Sequence, residues 1–161
     1  MQINPELLAE LIDRHWGPLV VWVGRCGESA EDVVQQAFVA LAAKQPLPDD
    51  PVAWLYTVAR NRAINARKQQ ERRQKRQHRA AKPEGVDLPV ESSSEAAELL
   101  ELLNQLSDQL HEIVVARIWG GFSFEEIATL VGSSKATVWR QFETALTTLR
   151  EVYGVTCETE T

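Results

Sequence analysis

Apolar residues recur at helical spacing over nearly the whole chain. Between Pro5 and Gly24 they are Leu7, Leu8, Leu11, Ile12, Leu19, Val20 and Val23. Gly17-Pro18 interrupts this run, which predicts two helical pieces or a kink. Ser29-Ala-Glu-Asp32 has the form of a capping box. The helix it opens carries Val33, Val34, Ala37, Phe38 and Leu41 on one side, with Asp32, Gln35 and Gln36 off that side. After the loop KQPLPDDP, Asp50 is a natural N-cap and Pro51 a natural first helical residue. The next helix has an apolar stripe of Trp54, Leu55, Val58, Ala59 and Ala63, then turns almost wholly polar and basic beyond Ile64. The stretch PEGVDLPVESSSE is rich in proline, glycine and serine and reads as a linker.

Beyond the linker the helical pattern resumes. Leu99, Leu100, Leu102, Leu103 and Leu106 predict one helix; Ser107 caps the next, with Ile113, Val114, Ala116, Arg117 and Ile118, and Gly120-Gly121 stops it. Ser123-Phe-Glu-Glu126 is a second capping box, opening a helix that Gly132 ends. Ser134 caps the last helix, where Val138, Phe142, Ala145, Leu146 and Leu149 form one apolar face. No strand pattern exceeds a few residues. The prediction is all-α: helical domains over 1–82 and 96–161, joined by a flexible acidic linker over 83–95, with a helix-turn-helix at the C-terminal end.

Composition narrows the function classes. No run of about 18 apolar residues exists, so no membrane insertion is expected. The N-terminus lacks a signal-peptide layout. Cys26 and Cys157 are too few for a disulfide framework or zinc site, and His15, His78 and His111 show no ligand spacing, so no metal or cofactor is expected. A reduced cytoplasm fits these features. The net charge is −6 over 161 residues, but it is unevenly spread. Residues 60–82 carry 10 basic groups and 1 acidic one, whereas residues 83–112 carry 8 acidic groups and 0 basic ones. Such blocks point to partners of opposite character.

The last two helices have the layout of a major-groove reader. With Val138 and Phe142 inward, Thr137, Arg140, Gln141 and Thr144 share one stripe, with Lys135 at its start. Arg and Gln can bond guanine and adenine edges, and Thr can meet a thymine methyl. The plainer alternative is an amphipathic hairpin with a solvated outer stripe. Trp139, beside that stripe, is expected to pack on a neighbouring helix, with contact to the DNA backbone as the alternative. Residues 113–161 hold only 4 basic groups, so this domain needs help to hold DNA. The basic block offers phosphate contacts. Tyr56, Arg60 and Asn61 place aromatic, cationic and amide groups near one another for unpaired bases. Trp54 is read as core. There is no glycine-rich phosphate loop, metal cluster or nucleophile–base pair, so an enzyme is not expected.

Three stretches, ESAEDVVQQAFVAL (28–41), AWLYTVARNRAINARK (53–68) and IWGGFSFEEIATLVGSSKATVWRQFETALTTLR (118–150), together resemble an extracytoplasmic-function sigma factor, the compact class of bacterial RNA polymerase specificity subunit. The resemblance implies that Asp32, Gln35, Gln36 and Val39 meet core RNA polymerase. It implies that the loop from Lys44, with Gln45, holds a flipped base of a melted promoter element, and that Tyr56, Arg60 and Asn61 line that strand. Lys135, Thr137, Arg140, Gln141 and Thr144 would read the upstream element, and the acidic linker would run through the polymerase interior. A free monomer, regulated by an anti-sigma factor or by expression level, is the accompanying expectation, since little chain follows Tyr153 to hold a sensing domain. Trp139, Glu143 and Thr144 stand where such factors often carry basic residues. The rival readings are a stand-alone helix-turn-helix regulator, which would need dimerisation, and a helical adaptor without DNA.

Overall fold

The structure is a computed structural model and describes residues 2–24, 29–77 and 94–153. Those residues form seven α-helices and no strand. They are α1 (Pro5–Val23), α2 (Ala30–Ala43), α3 (Pro51–Gln77), α4 (Ser94–Asn104), α5 (Asp108–Ile118), α6 (Phe124–Val131) and α7 (Lys135–Tyr153). The chain divides into two compact units, 1–87 and 88–161. The expected linker lies outside the described residues up to 93, and α4 takes up its last two positions.

In the first unit α1, α2 and α3 pack on one another in every pair. Asn4 caps α1, its Oδ1 accepting from the backbone of Glu6 at 3.0 Å, and Pro5 sits where a missing N–H costs nothing. The break expected at Gly17-Pro18 is absent: α1 continues through Pro18. Leu11 and His15 before it, and Leu19, Val20, Trp22 and Val23 after it, are all buried. Burial of both halves against α2 and α3 outweighs the hydrogen bond that proline removes.

The core of this unit is aromatic. Tyr56 has no exposed surface. Its ring meets Trp22 edge-on at 5.5 Å and His15 at 6.0 Å, and the Trp22 Nε1–H donates to the Tyr56 carbonyl at 3.2 Å. Trp16 stacks on Phe38 at 6.2 Å, joining α1 to α2. The apolar residues of α2 expected inside, Val33, Val34, Ala37, Phe38 and Leu41, are buried.

The second unit is arranged around α7, which packs on α4, α5 and α6. Ile113, Val114, Val115, Ile127, Val138 and Ala145 are almost fully shielded from solvent. Both backbone caps at Ser123 form: the Glu126 N–H donates to Ser123 Oγ, and the Ser123 N–H to Glu126 Oε1, each at 3.1 Å. Gly132 turns the corner into α7 at φ 71°, a left-handed conformation that side chains with a Cβ resist. At Gly120 the reason for glycine is space: a Cβ would lie 2.7 Å from both the Ala116 carbonyl oxygen and the Phe122 ring.

Candidate nucleic-acid interface

The corner at Gly132 sets the direction of α7, and the burial of Val138 and Ala145 sets its rotation. Counting about 100° per residue from those two, the side facing away from the core holds Ala136, Arg140, Glu143, Thr147 and Arg150, flanked by Trp139, Thr144 and Glu151. All eight are exposed. This face is rotated from the stripe expected from sequence. Lys135, Arg140 and Thr144 of that stripe are exposed, but Thr137 and Gln141 are half-buried.

Both half-buried residues have structural partners. The Ser134 hydroxyl donates to Thr137 Oγ1 at 2.8 Å and accepts from the Thr137 N–H at 3.2 Å, so the pair caps α7. The Gln141 amide donates to Gln109 of α5 at 3.2 Å. Trp139, expected to pack on a neighbour, is 51 % exposed. Reading the rotation from Val138 and Ala145, rather than Val138 and Phe142, would have found this face. Further along, the hydroxyls of Thr144, Thr147 and Thr148 each donate to the carbonyl four residues back, at 3.0 Å. Arg117, though exposed, is engaged within its own unit: its guanidinium lies 4.5 Å from the Phe124 ring centroid and donates to the Phe122 carbonyl at 2.9 Å.

The first unit presents two surfaces. On α2, Asp32, Gln35, Gln36 and Val39 are exposed, Val39 by 62 %. Gln36 accepts from Arg62 Nη1 of α3 at 3.1 Å, fixing this face relative to α3. In the loop before α3, Lys44 and Gln45 are exposed. On α3, Asn61 is exposed and Arg60 half-buried, but Tyr56 is not available to a base. It points into the core beside Trp22 and His15, where burial pushes its hydroxyl pKa far above the usual value. Trp54, expected in the core, is only half-buried, so the two aromatics exchange their expected places. Toward the end of α3, Arg67, Lys68, Arg72, Arg73, Lys75 and Arg76 are exposed, with Glu71 3.8 Å from Arg67. Arg79 and Lys82 of the basic block lie outside the described residues.

His15 is the core's titratable group. Burial, and secondarily the Arg14 charge, lower its pKa below 6.5. Among the described residues no cluster of His, Cys, Asp or Glu has the makings of a metal site, and no helix is long and apolar enough to cross a membrane.

Comparison with known proteins identifies the fold and the family. The family described as Sigma-70 region 2 matches residues 14–73, and Sigma-70, region 4 matches residues 96–149. The ECF RNA polymerase sigma factor SigD of Mycobacterium tuberculosis H37Rv is 29 % identical over 145 residues, covering 83 % of this chain and 67 % of the relative. SigK of Mycobacterium sp. strain JLS is 22 % identical over 139 residues, covering 82 % and 72 %. Among solved structures, the sigma factor RpoE of Bartonella quintana, crystallised with the anti-sigma factor NepR, shares the fold with a TM-score of 0.76. It has 23 % identity, with 95 % of this chain and 99 % of that one covered. CnrH, solved with the cytosolic domain of CnrY, gives a TM-score of 0.59 at 24 % identity, covering 94 % and 90 %. Two sigma-70 regions in order, on two helical units, with relatives of one class matched over 82–83 % of this chain, make this chain an extracytoplasmic-function sigma factor, a subunit that gives RNA polymerase promoter recognition and initiation.

Proposed function

We propose that the two units divide promoter recognition between them. The exposed face of α2, with Asp32, Gln35, Gln36 and Val39, docks on core polymerase. The loop carrying Lys44 and Gln45, with Arg60 and Asn61 of α3, holds the separated strand of the downstream element. The basic end of α3 follows phosphates, and α7 reads the upstream duplex. Strand separation draws on binding energy, with no covalent step. The acidic stretch 83–95 passes through a polymerase channel whose positive lining suits nucleic acid. The protein acts in the cytoplasm, monomeric when free, and a separate anti-sigma protein restrains it, by analogy with RpoE and its anti-sigma factor NepR.

One observation supports this division above the others. The reading helix has few cations, while the exposed cations concentrate on α3 in the other unit. Neither unit alone combines strong attraction with a base-reading face. A scaffold that holds both on one promoter multiplies two weak contacts. The test is in vitro transcription from a genomic promoter library with host core polymerase, with and without the protein. New start sites sharing two spaced elements are expected. No new starts, together with no co-elution with core enzyme, would sink the proposal.

A further inference from the structure

The outward face of α7 carries a carboxylate where a duplex would lie. Glu143 is exposed, three residues after Arg140 and four after Trp139, so the three side chains are neighbours on one face. Among the described residues, no ion pair or hydrogen bond engages the side chain of Arg140 or of Glu143, whose backbone carbonyls alone accept from threonines. The carboxylate is therefore not spent on folding the unit.

An ionised carboxylate only accepts hydrogen bonds. Phosphates repel it. Guanine N7 and O6, adenine N7 and thymine O4 are themselves acceptors and offer it nothing. The groove's donors are exocyclic amino groups, and cytosine N4 is the one that pairs with Glu. Facing a base edge that presents N7, O6 or O4 instead, Glu143 meets only acceptors and loses its water. Specificity is a difference of affinities, and an unsatisfied charge is an efficient way to reject the wrong site.

We propose that Glu143 is a specificity-determining residue, selecting a cytosine in the upstream element beside a guanine read by Arg140. This inference rests on α7 being the reading helix. It makes Glu143 act mainly by exclusion. Removing the carboxylate then raises use of templates lacking the cytosine, which a merely structural residue would not do.

The experiment uses holoenzyme assembled from core polymerase and the full chain. Templates carry a randomised upstream element, and transcribed templates are sequenced for wild type, Glu143→Ala and Glu143→Gln. Wild type is expected to favour cytosine at one position by about tenfold or more. Both substitutions should lower that preference there, through greater use of the other bases. Preferences elsewhere and thermal unfolding should stay unchanged, and the near-isosteric Glu143→Gln guards against a folding defect. Identical preferences at every position in variants and wild type overturn the inference and leave the upstream reading intact. So does a changed preference at a position where wild type does not favour cytosine. A wild-type holoenzyme without any upstream preference overturns the reading of α7 and this inference together.

Discussion

α3 and α7 both carry surfaces suited to nucleic acid, on opposite plans. α3 is anchored mainly in its first half, where Leu55, Tyr56 and Ala59 are buried, with Ala66 buried just past the midpoint. Its second half is a row of exposed cations. α7 is held by three helices and buries Val138 and Ala145 along one side. Its outer side is mixed: an indole, two guanidiniums, two carboxylates and threonines. Attraction to phosphates tolerates loose positioning, because the Coulomb interaction changes slowly with distance. Reading base edges does not, because hydrogen bonds weaken steeply with distance and angle. On the proposed division, affinity and discrimination sit on separate helices, and the proposed discriminating helix is the one held by three neighbours.

The largest effect should come from the anchor of α3. Tyr56→Ala is expected to cost about 3–5 kcal/mol of the first unit's stability, as for other buried aromatics, read by urea unfolding. A loss near zero would return Tyr56 to the surface and the single strand. A smaller pair of effects separates the two helices. Replacing Arg67, Lys68, Arg72 and Arg73 with Gln should flatten the salt dependence of DNA binding, by about 0.9 in slope for each phosphate no longer neutralised, and leave base preference unchanged. Arg140→Ala should relax preference at one base pair by about 1–3 kcal/mol and change the salt slope by no more than about one. The comparison breaks if the α3 variant changes base preference.

The smallest effect concerns pH. The folded state holds His15 with a pKa below 6.5 because burial disfavours the charged imidazole. The unfolded chain therefore takes up the proton first as pH falls. The first unit should keep its full stability above pH 6.5 and lose some of it below. His15→Gln should remove that dependence, and an unchanged acid sensitivity in that variant would assign it to other groups.

Much of this is legible from local pattern. Ser123 and Glu126 announce their capping box, Gly132 its left-handed turn, and the α2 core its five apolar positions. These are short-range signals, set by caps and periodicity. The misplacements share a different cause. Pro18 reads as a break because its cost is local, while the burial that overrides it comes from α2 and α3. Tyr56 and Trp54 lie two residues apart, and sequence does not say which of two aromatics a three-helix core will enclose. The rotation of α7 differs from expectation because Phe142, core by its spacing, is only half-buried, and one misjudged residue turns a whole helical face.

The three threonines late in α7 have a consequence for the kind of surface this helix offers. Each hydroxyl has a single proton, and those of Thr144, Thr147 and Thr148 are given to carbonyls of the helix itself. What remains outward is methyl groups and oxygen lone pairs. With Glu143 beside them, residues 143–148 are rich in acceptors and short of donors, and Arg150 is the next side chain that can donate. Phosphate oxygens can only accept, so this stretch has little to offer a sugar–phosphate backbone. It is left to meet bases by their amino and methyl groups, or to meet nothing.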